Sequence, residues 1–266
     1  MEITTVLQVH SDPTTIIDTV HSILEYVGQN VLLLINGSAW DRLKDIDLPV
    51  SKMKGFRHDV PKAPYRNVAL GLQMAWETFP QSDWVCYTEY DALFASDRFK
   101  YNLAMAEEKK VWMLGNAGRV DECRMPLVES LVGENFQSIY YLLGCCQFFH
   151  KDFMKKLDEI DFFNKFLFLT NEFSEGHFPA YSGYDISEHL YPTLCRHFGG
   201  NVGVFATWED AKQEWHGAFE YFPMRWRPEL DPEDTYPKAS ILHPLKSFDH
   251  PIRKFHRTRR KVWKTT

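Results

Sequence analysis

Apolar and polar residues follow each other along the first part of the chain in a pattern that predicts strands separated by helices. Val6 to His10 is typical of a short strand, and Ser11-Asp12-Pro13 after it can cap and begin a helix. Apolar residues then recur every three or four positions from Thr14 to Val27, and Gly28 ends the run. Val31 to Ile35 is continuously apolar, as in a strand buried on both faces of a parallel sheet.

The alternation continues through the rest of the chain. It predicts a strand over Gly55–Val60, a helix over Asn67–Phe79, a strand over Trp84–Thr88, apolar runs over Val111–Gly115 and Tyr141–Phe149, and helices near Lys151–Ile160 and Ile186–Phe198. Such an order predicts the α/β fold class, with a mostly parallel central sheet flanked by helices. Ligands of these sheets bind beyond the carboxyl ends of the strands. We therefore expect Ser11, Asn36, Asp59 and Asp91 at that edge.

Composition adds the domain organisation. The 266 residues are 44% hydrophobic, which is enough for one large core, and no repeat or linker interrupts them. We predict a single domain over residues 1–250, built from two fused halves of about 1–95 and 96–250. Residues 251–266 are rich in arginine and lysine. They are predicted to form a solvated basic tail that could make weak contact with an anionic membrane or polymer.

Charge and cysteine content narrow the classes of function. A formal net charge of -6 speaks against a dedicated nucleic-acid binder. No basic leader precedes an apolar run at the first residues, and no stretch approaches the roughly 20 apolar residues of a membrane helix. We therefore expect a cytoplasmic protein, either free or peripheral to the inner membrane face. The adjacent Cys145 and Cys146 lie in an apolar run and are predicted to be buried rather than redox-active.

The strongest candidate for chemistry is the segment Glu89-Tyr90-Asp91, which follows directly after an apolar strand. One or two carboxylates are the usual protein ligands of a hard divalent cation that neutralises a diphosphate. Side chains alternate along a strand, so Glu89 and Asp91 project to the same side. The other interpretation of these residues is an acidic, solvated turn.

The neighbouring motifs favour the metal site. Tyr65-Arg66-Asn67-Val68-Ala69-Leu70-Gly71 precedes the acidic strand, and Asn36-Gly37-Ser38 follows the second strand. In this order the chain resembles the GT-A glycosyltransferases, whose inverting members carry an Arg-Asn-x-Gly-like helix start before an Asp-x-Asp strand. Here Asn36 stands where the family's Asp-Gly-Ser turn has an acid, and Glu89 stands in place of the commoner first aspartate.

The resemblance extends into the second half. Gly144 to Phe149, followed by a helix, is similar to the family segment that lines the sugar and acceptor side. Ser182 to Glu188 is similar to the loop where inverting members place the catalytic base, which implies Asp185, or else Glu188, in that role. Both acids could instead cap or charge the first turn of a helix. Ile241 to Lys246 resembles the family's return of a histidine to the metal.

The resemblance implies a glycosyltransferase of the hexosyltransferase class that moves a sugar from a nucleoside-diphosphate sugar to an acceptor hydroxyl, with inversion favoured. The residues up to about 95 would then bind the donor, with a UDP-sugar as the family default, and residues 96–250 the acceptor. The implied metal ligands of Mn²⁺ or Mg²⁺ are Asp91, Glu89 and His243. The implied donor-binding residues are Val9, His10, Ser11, Asn36, Asp59, Arg66, Asn67, Glu89, Tyr90 and Lys246.

Two other functions remain open. A sugar-phosphate nucleotidyltransferase on a similar sheet normally needs a glycine-rich, basic loop after the first strand, whereas this chain has Ser11-Asp12-Pro13 there. A non-catalytic domain that binds a sugar nucleotide or glycan would keep the sheet without the metal chemistry.

Overall fold

The computed structural model describes residues 1–59, 63–121, 126–134, 138–172, 186–207, 224–226, 231–235 and 239–261. Within these ranges the strands are β1 (Ile3–Val9), β2 (Asn30–Ile35), β3 (Ser51–Lys54), β4 (Trp84–Glu89), β5 (Leu93–Phe94), β6 (Val111–Asp121), β7 (Ile139–Leu142), β8 (Gln147–His150), β9 (Asn201–Thr207), β10 (Met224–Trp226) and β11 (Ile241–His243). The helices are α1 (Pro13–Tyr26), α2 (Trp40–Leu43), α3 (Ala63–Thr78), α4 (Phe99–Glu108), α5 (Pro126–Val132), α6 (Lys151–Glu159), α7 (Phe162–Glu172), α8 (Ile186–His197) and α9 (Pro251–Arg257), with a 3-10 helix over Pro232–Thr235.

A central sheet in the order β3-β2-β1-β4-β8-β6-β7 organises the chain, and β9 pairs with β6 outside this path. The strands β3, β2, β1 and β4 are parallel neighbours, and β9 is parallel to β6. The pairings β4–β8, β8–β6 and β6–β7 are antiparallel. A smaller sheet has the order β10-β11-β5. The predicted α/β class with a central sheet is confirmed, and the second half supplies its antiparallel pairings.

Helices cover both faces of the central sheet. On one face, Ile16 and Val20 of α1 and Leu103 of α4 join the core that contains Leu7 and Leu33. The other face is covered by α3, α6, α7 and α8, whose apolar side chains pack on the opposite side of the same strands. Among the described residues, no helix combines the length and the apolarity that crossing a membrane requires.

Most elements of the first half lie close to their predicted positions, but the third strand does not. The sequence predicted it over Gly55–Val60, and the structure has β3 at Ser51–Lys54. Its side chains are half-buried or exposed at the sheet edge, so the segment lacks the apolar run that marks the central strands. The chain bends away at Gly55, whose backbone N–H donates to the Ile35 carbonyl at 2.7 Å.

The apolar run Tyr141–Phe149 is divided between two strands. β7 ends at Leu142, β8 begins at Gln147, and the turn between them includes Cys146 with a φ of 113°. The prediction that Cys145 and Cys146 are buried is confirmed, with exposures of 9% and 0%. The Sγ atoms of Cys146 and Cys86 lie 3.6 Å apart in the core.

The solvated basic tail predicted for the C terminus is wrong for residues 251–261. Pro251–Arg257 is helical, His250 caps it, and the side chains of Arg253 and Arg260 are buried. Both arginines contact the carboxylate of Asp18, which lies fully buried on α1, and Arg253 Nη1 is 2.8 Å from Asp18 Oδ2. A buried carboxylate must be paired, and these arginines pair it.

The buried imidazole of His256 on α9 makes the docking of this segment sensitive to pH. Its Nε2 lies 2.7 Å from the Thr235 hydroxyl, and burial, with Arg259 and Arg260 nearby, lowers its pKa to about 4. In the unfolded chain this imidazole has the ordinary histidine pKa of 6.5. The contribution of the neutral His256 imidazole to the free energy of unfolding is therefore fully present above pH 6.5. It is lost progressively as the pH falls towards 4.

We predict that the free energy of unfolding falls by about 2 kcal/mol between pH 7 and pH 5 through His256 alone. Urea titrations at the two pH values measure the difference. The His256→Gln variant should lack this part of the pH dependence, whereas His58→Gln, at an exposed histidine, should retain it. An unchanged pH dependence in His256→Gln would contradict the assignment.

Candidate functional site

The acidic segment Glu89-Tyr90-Asp91 lies at the carboxyl end of β4, as predicted. Residues Trp84 to Thr88 are buried in the sheet, Glu89 is half-buried, and Asp91 is 4% exposed. The turn closes through the Ala92 N–H, which donates to the Glu89 carbonyl at 3.0 Å. The Tyr90 N–H donates to the Gln8 carbonyl of β1 at 3.1 Å. The rigid sheet therefore sets the positions of both carboxylates.

A second segment reaches the same place from the other end of the chain. β11 pairs antiparallel with β5, with Ile241 opposite Phe94 and Leu242 opposite Leu93. This register carries His243 towards Asp91, and His243 Nε2 lies 3.2 Å from Asp91 Oδ1. Beyond it, the Leu245 N–H donates to the Asp91 carbonyl at 2.7 Å. The small sheet thus joins two segments that are distant in sequence.

Glu89, Asp91 and His243 form a cluster whose ligand atoms all lie within 4.8 Å of one another. This spacing suits a single cation contacted by all three groups. Two carboxylates with one imidazole match the preferences of Mn²⁺, and the carboxylates alone match Mg²⁺. The residues fit a divalent metal, and the predicted proximity of the three side chains agrees with the structure.

The pKa values of the two carboxylates in the cluster are shifted in opposite directions. Burial, together with the charge of Asp91, raises the pKa of Glu89 above its usual value. Burial also acts to raise the pKa of Asp91, but the hydrogen bond and charge of His243, with a smaller contribution from Lys246, bring it below its usual value. Asp91 is therefore the carboxylate that is ionised over the wider pH range.

His10 lies beside the cluster, with the cations Arg42 and Lys246 near it. It follows β1, and its ring meets the Tyr90 ring edge-on at 4.9 Å between centroids. The pKa of His10 is lowered by loss of solvent and by the charges of Arg42 and Lys246, against the opposing effect of Asp91. Arg42 Nη2 donates to the His10 carbonyl at 2.8 Å. Lys246 was predicted here, and Arg42 was not.

Arg42 was missed because it belongs to no recognised motif. It lies on the one-turn helix α2, a few residues after Asn36-Gly37-Ser38. Only its position soon after the carboxyl end of a buried strand could have drawn attention to it.

Val9, Ser11 and Asn36 line the same edge, mostly through the backbone. The Val9 side chain is fully buried in the core, and its carbonyl accepts the Asn36 N–H at 2.9 Å. The Asn36 side-chain oxygen accepts the Ser38 N–H at 3.0 Å, which shapes the turn after β2. Ser11 is half-buried beside His10.

Asn67 and Asp59 have structural partners within the protein. Asn67 is fully buried, and its Oδ1 accepts the Phe56 N–H at 2.7 Å. Asp59 is exposed and pairs with Arg57 at 3.0 Å. The Arg66 guanidinium lies over the Phe56 ring at 4.1 Å from its centroid, and burial lowers its pKa. The amide of Asn67 therefore holds the loop after β3, whereas it was predicted to contact a ligand.

Of the two predicted candidates for a catalytic base, Asp185 lies outside the described residues. Glu188 is half-buried at the start of α8, and its Oε1 accepts the Gly144 N–H at 2.5 Å. Burial raises the pKa of Cys145, next to Gly144, and the charges of Glu188, Glu89 and Asp91 raise it further. The Glu188 carboxylate therefore holds the turn between β7 and β8 at Gly144.

A separate cavity of about 340 Å³ lies at the opposite edge of the sheet, where β4 and β6 begin. Its titratable lining groups include Asp83, Glu107, His150 and Lys151. Lys151 pairs with Asp83 at 2.8 Å, and Glu107 accepts the indole N–H of Trp84 at 3.0 Å. These groups form ion pairs and hydrogen bonds with their neighbours, and they do not belong to the candidate site.

Comparisons with known proteins give fold neighbours at low similarity. No protein-family model matches the chain, and neither does any curated protein. A 4-diphosphocytidyl-2C-methyl-D-erythritol synthase from Anaerococcus prevotii is 16% identical, with a TM-score of 0.42, over 76% of this chain and 86% of its own. A cytidylyltransferase from Leptospira borgpetersenii is 12% identical, with a TM-score of 0.40, over 76% and 74%. Mouse xyloside xylosyltransferase 1 is 7% identical, with a TM-score of 0.43, over 91% and 97%. At this level of similarity, the geometry of the site is the basis for assigning a function.

The structural role of Asn67 gives a testable expectation. Asn67→Ala leaves the buried Phe56 N–H without its acceptor, so the free energy of unfolding should fall by about 1–3 kcal/mol. A denaturant titration measures the loss. Gln73→Ala, which removes the exposed pair with Glu77 on the same helix, should change stability by less than about 0.5 kcal/mol. Equal stability of the two variants would contradict this role.

Proposed function

We propose that the protein is a metal-dependent glycosyltransferase that takes its sugar from a nucleoside-diphosphate donor. One observation carries the proposal, namely the cluster of Glu89, Asp91 and His243 at a parallel-strand end, with Lys246 beside it. This arrangement would combine a site for a divalent cation with a neighbouring positive charge, at the edge of the sheet where α/β proteins bind ligands. A nucleoside diphosphate offers the matching chemistry.

Glu89, Asp91 and His243 would hold Mn²⁺ or Mg²⁺, which when bound would neutralise charge on the two phosphates. The low pKa of Asp91 keeps this carboxylate ionised and ready as a ligand. The raised pKa of Glu89 follows from burial beside a second carboxylate, a cost that a bound cation offsets. The chain thus concentrates negative charge where a cation is needed.

The cations at the rim would act on the leaving group. Departure of the diphosphate leaves negative charge on its oxygens. The exposed Lys246 ammonium and Arg42 guanidinium, both near enough to His10 to lower its pKa, would stabilise that charge. The lowered pKa of His10 keeps its imidazole neutral at physiological pH. His10, Ser11, Asn36 and Arg66 are the proposed contacts of the nucleoside.

An acceptor hydroxyl would approach from the side of the turn between β7 and β8. We propose Asp185, with Glu188 as the second candidate, as the base that takes the hydroxyl proton, which would invert the configuration of the sugar. In favour of Glu188 is its half-buried carboxylate at the start of α8, which accepts the Gly144 N–H beside this turn. A hexose donor carried by UDP is the proposed substrate class.

The metal site can be tested with Asp91→Asn. We expect Mn²⁺ together with a nucleoside diphosphate to raise the melting temperature of the parent protein by mass action. Asp91→Asn removes the ionised ligand and should abolish this shift. Asp97→Asn, at an exposed aspartate after β5, should keep it. A full shift in Asp91→Asn would refute the metal site.

The products separate the three candidate functions. A glycosyltransferase incubated with a panel of nucleotide sugars and Mn²⁺ should release free nucleoside diphosphate slowly, and faster with an acceptor. Release of pyrophosphate from a nucleoside triphosphate would instead support a nucleotidyltransferase. Metal-dependent binding with no release from any donor would support a non-catalytic domain. Chromatography of the nucleotides distinguishes the outcomes.

A further inference from the structure

We infer that Arg253, on the C-terminal helix α9, is a positioning residue that holds the two halves of the metal site together. The inference rests on the proposed function, because it concerns the same Glu89, Asp91 and His243 cluster. Arg253 is fully buried and contacts none of these three side chains in the bonds that it makes. Its action is through the backbone that carries them.

The contacts of Arg253 surround Asp91 on both sides. Its Nη2 donates to the carbonyl oxygens of Tyr90 and Ala92, each at 3.2 Å. Its Nε donates to the Leu245 carbonyl at 2.8 Å, in the segment between His243 and Lys246. One planar group therefore fixes the turn that supplies Asp91 and the strand exit that supplies the imidazole.

The position of Arg253 is itself anchored on α1. Nη1 donates to Asp18 Oδ2 at 2.8 Å, and Nη2 also donates to the Thr19 hydroxyl at 3.1 Å. The Thr19 hydroxyl in turn lies 2.6 Å from the Tyr90 carbonyl and 3.0 Å from the Ala92 carbonyl. Helices α1 and α9 thus both bind the turn of Asp91 through one hydrogen-bond network.

A guanidinium is required for this geometry. Its five N–H donors form a rigid fork, so contacts to Asp18, to the turn and to Leu245 can be made at once. A lysine ammonium at this position has the charge to pair with Asp18 but a single nitrogen, which cannot reach both segments. Arg253→Lys should therefore keep much of the ion pair and loosen the site.

Arg260 provides a matched control. It is equally buried, and it contacts Asp18 through the carboxylate and through the carbonyl at 2.6 Å. None of its bonds reaches the turn of Asp91 or the segment after β11. Arg260→Lys consequently perturbs the same buried carboxylate without touching the backbone of the metal site.

The experiment measures Mn²⁺ affinity by electron paramagnetic resonance of the free ion, with the folded fraction of each full-length variant fixed by circular dichroism. Arg253→Lys should bind Mn²⁺ at least about 10-fold more weakly than the parent, as for residues that orient metal ligands. Arg260→Lys should stay within about twofold. Equal affinities of the two folded variants would overturn the inference while leaving the proposed metal site intact. A parent that binds no Mn²⁺ would overturn both.

If Arg253→Lys does not fold, the test is made with Thr19→Val and, as its control, Ser82→Ala. Thr19→Val removes the hydroxyl that bonds Arg253 and the same two carbonyls, so Mn²⁺ binding should weaken several-fold. Ser82→Ala removes a buried hydrogen bond to Thr4 at the opposite end of β1 and β4, and should leave affinity unchanged. Unaltered Mn²⁺ affinity in a folded Thr19→Val protein would overturn the inference.

Discussion

The buried contact between Asp18 and the arginines of the C-terminal segment constrains the rest of the structure. A single carboxylate faces Arg253, Arg260 and, at 3.7 Å, Arg257, so positive charge exceeds negative charge in this part of the interior. Removing one member of a buried ion pair costs about 3–5 kcal/mol. The surplus charge is balanced by carbonyl oxygens, among them those of Tyr90, Ala92 and Leu245. Backbone carbonyl groups of the candidate site therefore help to stabilise the buried arginine side chains.

Much of the first half could be predicted because local chemistry specifies it. Asp12 caps α1 through a hydrogen bond from the Thr15 N–H, Pro13 begins the helix, and Val31 to Ile35 is buried on both faces of the sheet. The acidic pair after β4 was recognisable for the same reason, since a strand end and two carboxylates are neighbours in sequence. The approach of His243 was anticipated only by a resemblance in motif order.

The features that were missed depend on contacts between distant parts of the chain. Arg253 and Asp18 are separated by 235 positions, and composition alone describes the arginines as a solvated run. β3 lies at the sheet edge with half-buried side chains, so no periodicity marks it, and the division of the run Tyr141–Phe149 depends on a turn held by Glu188. Asn67 was predicted to bind a ligand because the sequence does not show that its side-chain oxygen accepts the Phe56 N–H.

The pairing of β11 with β5 has a consequence for the order in which the molecule matures. Asp91 leaves the ribosome long before His243, and the segment that carries His243 gains its place only by docking on Leu93 and Phe94. A nascent chain can complete most of its sheet while the cluster of Glu89, Asp91 and His243 still lacks its imidazole. The three side chains can thus come together only after translation has passed β11.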